Sequence, residues 1–156
     1  LQLLRAYTAF ANGGKMANPF LVSLRDISRR ETKERAKEQR QVISPETATT
    51  ITSMLVSVIE EGYSKKAKIP GYYIAGKTGT AQVPWTALGI KKAGYSDKTV
   101  QSFMGYGPAY NPQFLILVKL QNPQTKTAEY SALPIFRELA KYIIDYLAIP
   151  PDYEVE

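Results

Sequence analysis

The chain has 156 residues, 44% of them apolar, and a formal net charge of +6, which suits a globular domain with a real core. It contains neither cysteine nor histidine, which excludes thiol nucleophiles, disulfides, zinc sites built on those residues and any triad that uses histidine. The acidic residues form no calcium-loop pattern either, so neither a metal nor a cofactor is expected.

From Leu1 to Ala11 the apolar residues fall at helical spacing, and "NGG" (Asn12 to Gly14) provides the stop. "MANPFLVSLRDI" reads as a short extended passage. Between Ser28 and Gln41 six basic residues outnumber three acidic ones, yet no aromatic residue is interleaved for base stacking. The stretch is expected to be a solvated arm, and no nucleic-acid partner is expected. Ser44, Pro45 and Glu46 supply a cap, a first-turn proline and an early acid, so a helix starts there. Its buried stripe is expected at Ala48, Ile51, Leu55, Val58 and Ile59, with an end at Gly62.

Three strands follow: "YYIAGKTGTAQ", "TVQSFMGYGP" and "QFLILVKLQ". An irregular excursion, residues 83–98 around Trp85, separates the first two. The last segment, "SALPIFRELAKYIIDYLAI", places Leu133, Phe136, Leu139, Ala140, Ile143, Ile144 and Leu147 at helical spacing, and prolines stop it. The order is α+β: an antiparallel sheet with helices packed on it. A single domain portion over 1–149 and a tail over 150–156 are expected. The longest apolar runs fall far short of the ~20 residues that span a bilayer, and the abrupt "LQLLRAY" start suggests a piece of something larger.

"GYYIAGKT", residues 71–78, fits the phosphate-loop pattern G-x-x-x-x-G-K-T, but its neighbours do not. The feeding strand is replaced by the polar, proline-broken "SKKAKIP", and the helix that should follow is replaced by "GTAQVP". The alternative is K-T-G, Lys77 to Gly79, on an edge strand. Alternation puts Lys77 and Gly79 on one face and Thr78 and Thr80 on the other, so a ligand using both must approach at the strand's edge. Lys77 and the two hydroxyls suit a carboxylate, and an amide just past Gly79 could donate to an oxyanion. On three residues alone, a surface lysine beside threonines of high β-propensity is the better reading.

The wider sequence shifts that balance. "LQLLRAYTAFANGGKMANPFLV", "ISPETATTITSMLVSVIEEG", "IAGKTGTAQ", "SFMGYGPAYNPQFLILVKLQNP" and "SALPIFRELAKYIIDYLAIPPD" resemble, in this order and spacing, the C-terminal half of the transpeptidase domain of class B penicillin-binding proteins. The resemblance implies a β-lactamase/transpeptidase-like fold whose roughly five-stranded sheet is only partly built by this chain. It implies acyl transfer through a serine acyl-enzyme, cross-linking peptidoglycan stem peptides, with β-lactams as donor mimics. By motif, Lys77 would polarise the hydroxyl relay, Thr78 and Thr80 would hold the terminal carboxylate, the Thr80 amide would form half of the oxyanion hole, and Gln82 would line the cleft.

None of the nine serines lies in S-x-x-K or S-x-N. A companion chain or segment carrying those motifs is therefore expected, and the chain alone is not expected to be competent, because nucleophile and base must lie within hydrogen-bond reach. The strand "QFLILVKLQ" also wants cover on both faces. The resemblance further implies cell-wall synthesis partners, a role in cell shape or division, and a place on the outer face of the cytoplasmic membrane, anchored by an N-terminal segment outside this sequence. A penicillin sensor or scaffold of the same fold is a second reading, and a β-lactamase a third.

Overall fold

The computed structural model describes residues 1–19 and 39–155. Most of the passage after Met16 and of the charged arm lies outside the described residues. The chain divides into two compact units, Leu1–Met54 and Leu55–Glu156.

In the first unit, helix α1 spans Gln2–Ala11. Gly14 donates to Ala9 O at 2.7 Å and has a φ of +88°, a left-handed conformation that glycine adopts without strain. A β-carbon there would meet Ile43 O, so the "NGG" stop is enforced twice. Two short strands, β1 (Lys15–Met16) and β2 (Arg40–Gln41), pair antiparallel.

Helix α2, Pro45–Glu60, begins in this unit and ends in the second. Ser44 Oγ accepts from the Thr47 amide at 3.2 Å, as an N-cap should. Its buried line differs from the expected stripe: Ala48, Thr52, Val56 and Ile59 are buried, while Ile51, Leu55 and Val58 are only half-buried. Thr52 is polar, but its hydroxyl returns to Ala48 O at 2.9 Å, which removes much of the cost of burying it.

The second unit holds strands β3 (Ala75–Pro84), β4 (Tyr95–Gly107) and β5 (Phe114–Gln121) in the order β3-β4-β5, all antiparallel. Helix α3, Ala132–Tyr146, lies against the sheet and supplies Ala132, Leu133, Phe136, Ala140 and Ile144 to its core. Leu139 and Leu147, expected inside, are exposed. Phe136 meets Phe103 of β4 with ring centroids 4.5 Å apart, and Gly105 lies directly beneath the Phe136 ring. The fold class is α+β, as the order of elements predicts.

One sequence expectation needs correction. The excursion is shorter than 83–98, because β3 runs on to Pro84 and β4 starts at Tyr95. Ser96 helps hold this extension, its hydroxyl donating to Val83 O at 2.7 Å. The tail over 150–156 is tied down: Asp152 accepts from the Tyr73 amide and donates its own amide to Gly71 O, each at 2.8 Å, while Tyr153 packs on Tyr73. The tail thus pins the turn that leads into β3.

Candidate active site

Strand β3 pairs with β4 along one side, and among the described residues its other side has no partner. The register sets Lys77 opposite Met104, Thr78 opposite Phe103, Gly79 opposite Ser102 and Thr80 opposite Gln101. Residues directly opposite share a face, so Thr78 and Thr80 stand on the face of Phe103 and α3, and Lys77 and Gly79 on the other.

The backbone alternates as well. Met104 O lies against Gly76 and Ala75 O against Gly105, so both carbonyls point into the ladder between β3 and β4. In an antiparallel pair a residue's N–H and C=O point to the same side, and successive residues alternate. Ala75, Lys77 and Gly79 therefore spend their backbone groups on β4. Gly76, Thr78 and Thr80 turn theirs to the open edge.

Lys77 reports the same edge. Its Nζ donates to Thr78 O at 3.2 Å and to Thr78 Oγ1 at 3.3 Å, so the exposed side chain curls round from its own face to a hydroxyl on the other. That reach is open only where no strand stands beside β3. A β-carbon at Gly79 would fall 2.7 Å from Ser102 Oγ, a hydroxyl that can rotate aside. The phosphate-loop geometry is absent: Ala75–Pro84 is continuous strand, and the short 3-10 turn Trp85–Leu88 follows it where a helix should begin at Lys77.

The structure thus gathers Lys77, Thr78, Gly79 and Thr80 on one open edge, with exposed Gln82 two residues further along the same strand. The group behind them leaves little trace in the sequence. Thr80 Oγ1 accepts from the Ala128 amide at 3.3 Å. Ala128 begins a 3-10 turn, Ala128–Tyr130, whose crossover is tied to fully buried Gln101. The available signal was one polar glutamine inside "TVQSFMGYGP".

On its outer side the same turn is held by Lys66, which pairs with Glu129 at 3.2 Å and sits 3.8 Å above the Tyr130 ring. Desolvation lowers the Lys66 pKa, but the hydrogen bond and charge of Glu129, aided by Tyr130, outweigh it and hold the ammonium above its ordinary value. A basic cleft of about 570 Å³, with Lys65, Lys66, Lys68 and Arg137 in its wall, contains none of the β3 residues. The edge of β3 instead carries one cation, two hydroxyls and outward-facing amides, the kinds of group that suit an extended ligand ending in a carboxylate.

Residues 1–141 match the family described as penicillin binding protein transpeptidase domain. The probable peptidoglycan D,D-transpeptidase PbpC of Pseudomonas aeruginosa is 36% identical over 97% of this chain and 25% of its own length. Penicillin-binding protein PbpB of Mycolicibacterium smegmatis is 34% identical over 96% of this chain and 24% of its own. Among solved structures, the apo transpeptidase domain of Burkholderia pseudomallei penicillin-binding protein 3 aligns with a TM-score of 0.79 at 30% identity, covering 98% of this chain and 44% of that one. The chain therefore belongs to the penicillin-binding protein transpeptidase family. It spans about a quarter of the length of the curated relatives it matches.

Proposed function

We propose that this chain is the K-T-G-bearing part of a serine D,D-transpeptidase that cross-links peptidoglycan stem peptides. The observation that carries the reading is the open edge of β3, where Lys77 curls onto Thr78 and the backbone groups of Thr78 and Thr80 face outward. A serine from a segment outside this sequence attacks the carbonyl between the two terminal D-alanines of a donor stem. Its hydroxyl proton passes to a neighbouring base, and D-alanine leaves. The acyl group then passes to the amine of a second stem, which restores the serine.

Each β3 residue has a part in this scheme. The Thr80 amide donates to the oxyanion that develops on the attacked carbonyl, the donor geometry that such intermediates require. The hydroxyls of Thr78 and Thr80 bind the terminal carboxylate. Lys77 holds the hydroxyl relay polarised by its charge, Gly79 keeps the approach clear, and Gln82 lines the groove beyond. The missing segment also completes the sheet and covers the apolar surface of β5. It carries S-x-x-K and S-x-N, and an N-terminal anchor holds the enzyme at the outer face of the cytoplasmic membrane. β-Lactams acylate the serine as donor mimics, and the cell-wall synthesis partners are those of elongation or division.

The test is D-alanine release from a pentapeptide stem by the intact protein. Release together with cross-linked product is the expected result. Labelling by penicillin with no D-alanine released would instead make the protein a sensor or scaffold, and rapid penicillin hydrolysis would make it a β-lactamase.

A further inference from the structure

Gln101 is completely buried and stands opposite Thr80 in the ladder. Its Nε2 donates to Thr99 Oγ1 at 3.0 Å and to Thr125 O at 2.6 Å, and its Oε1 accepts from the hydroxyls of Thr125 and Ser131. A glutamine amide has two N–H donors and two acceptor lone pairs, so this one is saturated. A buried polar group satisfied in this way fixes one arrangement of its partners, because any shift leaves a costly unpaired group. Here the partners bracket the crossover 125–131, and Ala128 lies between them.

We infer that Gln101 is a positioning residue for the carboxylate-binding hydroxyl of Thr80, acting through the Ala128 amide. A hydroxyl carries one proton and two lone pairs. When the Ala128 amide occupies one lone pair of Thr80 Oγ1, that direction is closed to the hydroxyl's own proton. The proton is left for an acceptor in the exposed groove, where an anionic oxygen would receive it. Thr80 is then a preset donor instead of a freely rotating one. The Lys66–Glu129 pair and the Tyr130 ring brace the turn from its other side, adding to the hold that Gln101 exerts. This inference rests on the transpeptidase reading, since it assigns the carboxylate to Thr80.

The experiment measures acylation of the intact protein by a fluorescent penicillin and by the methyl ester of the same compound, which lacks the carboxylate. Gln101→Glu keeps the shape but loses both N–H donors. It should slow acylation by the free acid about tenfold, the size of one hydrogen bond to a charged group, and leave the slow ester reaction within about twofold. Thr80→Val should give the same loss, and the double variant should be no slower than Thr80→Val alone. Thr125→Val, which removes a single hydroxyl from the network, should slow the acid about threefold and serves if Gln101→Glu does not fold. Equal rates in wild type and variants, multiplying losses in the double variant, or parallel losses for acid and ester would each overturn the inference and leave the transpeptidase reading intact. A wild-type protein that is not labelled at all would overturn both.

Discussion

Replacing Gly105 with alanine places a methyl group 2.6 Å from Cζ and 2.8 Å from Cε2 of Phe136, and 3.0 Å from Ala75 O. Carbon atoms in comfortable contact stand about 3.5–4.0 Å apart, so the ring must retreat by roughly 1 Å. Phe136 is fully buried and lies against Phe103, so retreat opens the contact that seats α3 on the sheet. Overpacking of this kind costs about 1–3 kcal/mol. The lower entropy of an unfolded alanine offsets about 0.4–1 kcal/mol of that. A net loss of about 1–2 kcal/mol is expected in urea unfolding of the intact protein at unchanged slope. Phe136→Leu removes part of the ring that clashes. The double variant should therefore lose less than the sum of the singles, by at least about 0.5 kcal/mol. A neutral Gly105→Ala, or strict additivity with Phe136→Leu, would refute the claim that this glycine sets the distance between α3 and the sheet.

Other consequences are local. Ser44→Ala removes the acceptor for the Thr47 amide and should cost about 1 kcal/mol of stability, visible in the same urea titration. Glu46 is held below its ordinary carboxyl value of 4.5 by its own backbone amide and by Ser44, against a small opposing effect of burial. Its contribution should be complete above that value and lost as pH falls through the lowered one, so wild type and Glu46→Gln should converge in unfolding midpoint in acid and separate at neutral pH. Asp152→Ala leaves the Tyr73 amide without its carboxylate and should speed hydrogen exchange there several-fold, with a loss of about 1–2 kcal/mol. An unchanged exchange rate at Tyr73 would mean the tail does not hold the turn before β3.

Local signals in the sequence are legible where the deciding physics is local. Asn12–Gly14 stops α1 because glycine alone tolerates the left-handed turn, and Ser44 caps α2 through a bond only three residues long. The edge position of Lys77 was legible too, since a strand that must offer a lysine and threonines from opposite faces can do so only at a border. The rest depended on partners far along the chain. Gln101 is bonded to residues 24 and 30 positions away, and Tyr73 to an aspartate 79 positions away, so no window of periodicity contains them. Thr52 occupies the buried line of α2 because its hydroxyl finds a carbonyl within the helix, which a hydrophobic pattern cannot register. The hairpin of β3 and β4 outruns its apolar residues because ladder bonds and Ser96 continue where side-chain hydrophobicity has ended. Most of the charged arm, including its mixed run of arginine, lysine and glutamate, lies outside the described residues.

The claim on which the functional account rests is that the unpaired border of β3 is one wall of a groove whose reactive serine comes from elsewhere. Covalent labelling by a fluorescent penicillin tests it most directly, on three proteins in parallel: the 156-residue chain alone, the intact protein and its Lys77→Ala variant. The account predicts no label on the chain alone, a stable label on the intact protein, and labelling slowed at least about 100-fold by Lys77→Ala, the lower range for a group acting on proton transfer. A labelled isolated chain, or a Lys77→Ala protein that labels as fast as wild type, would contradict it.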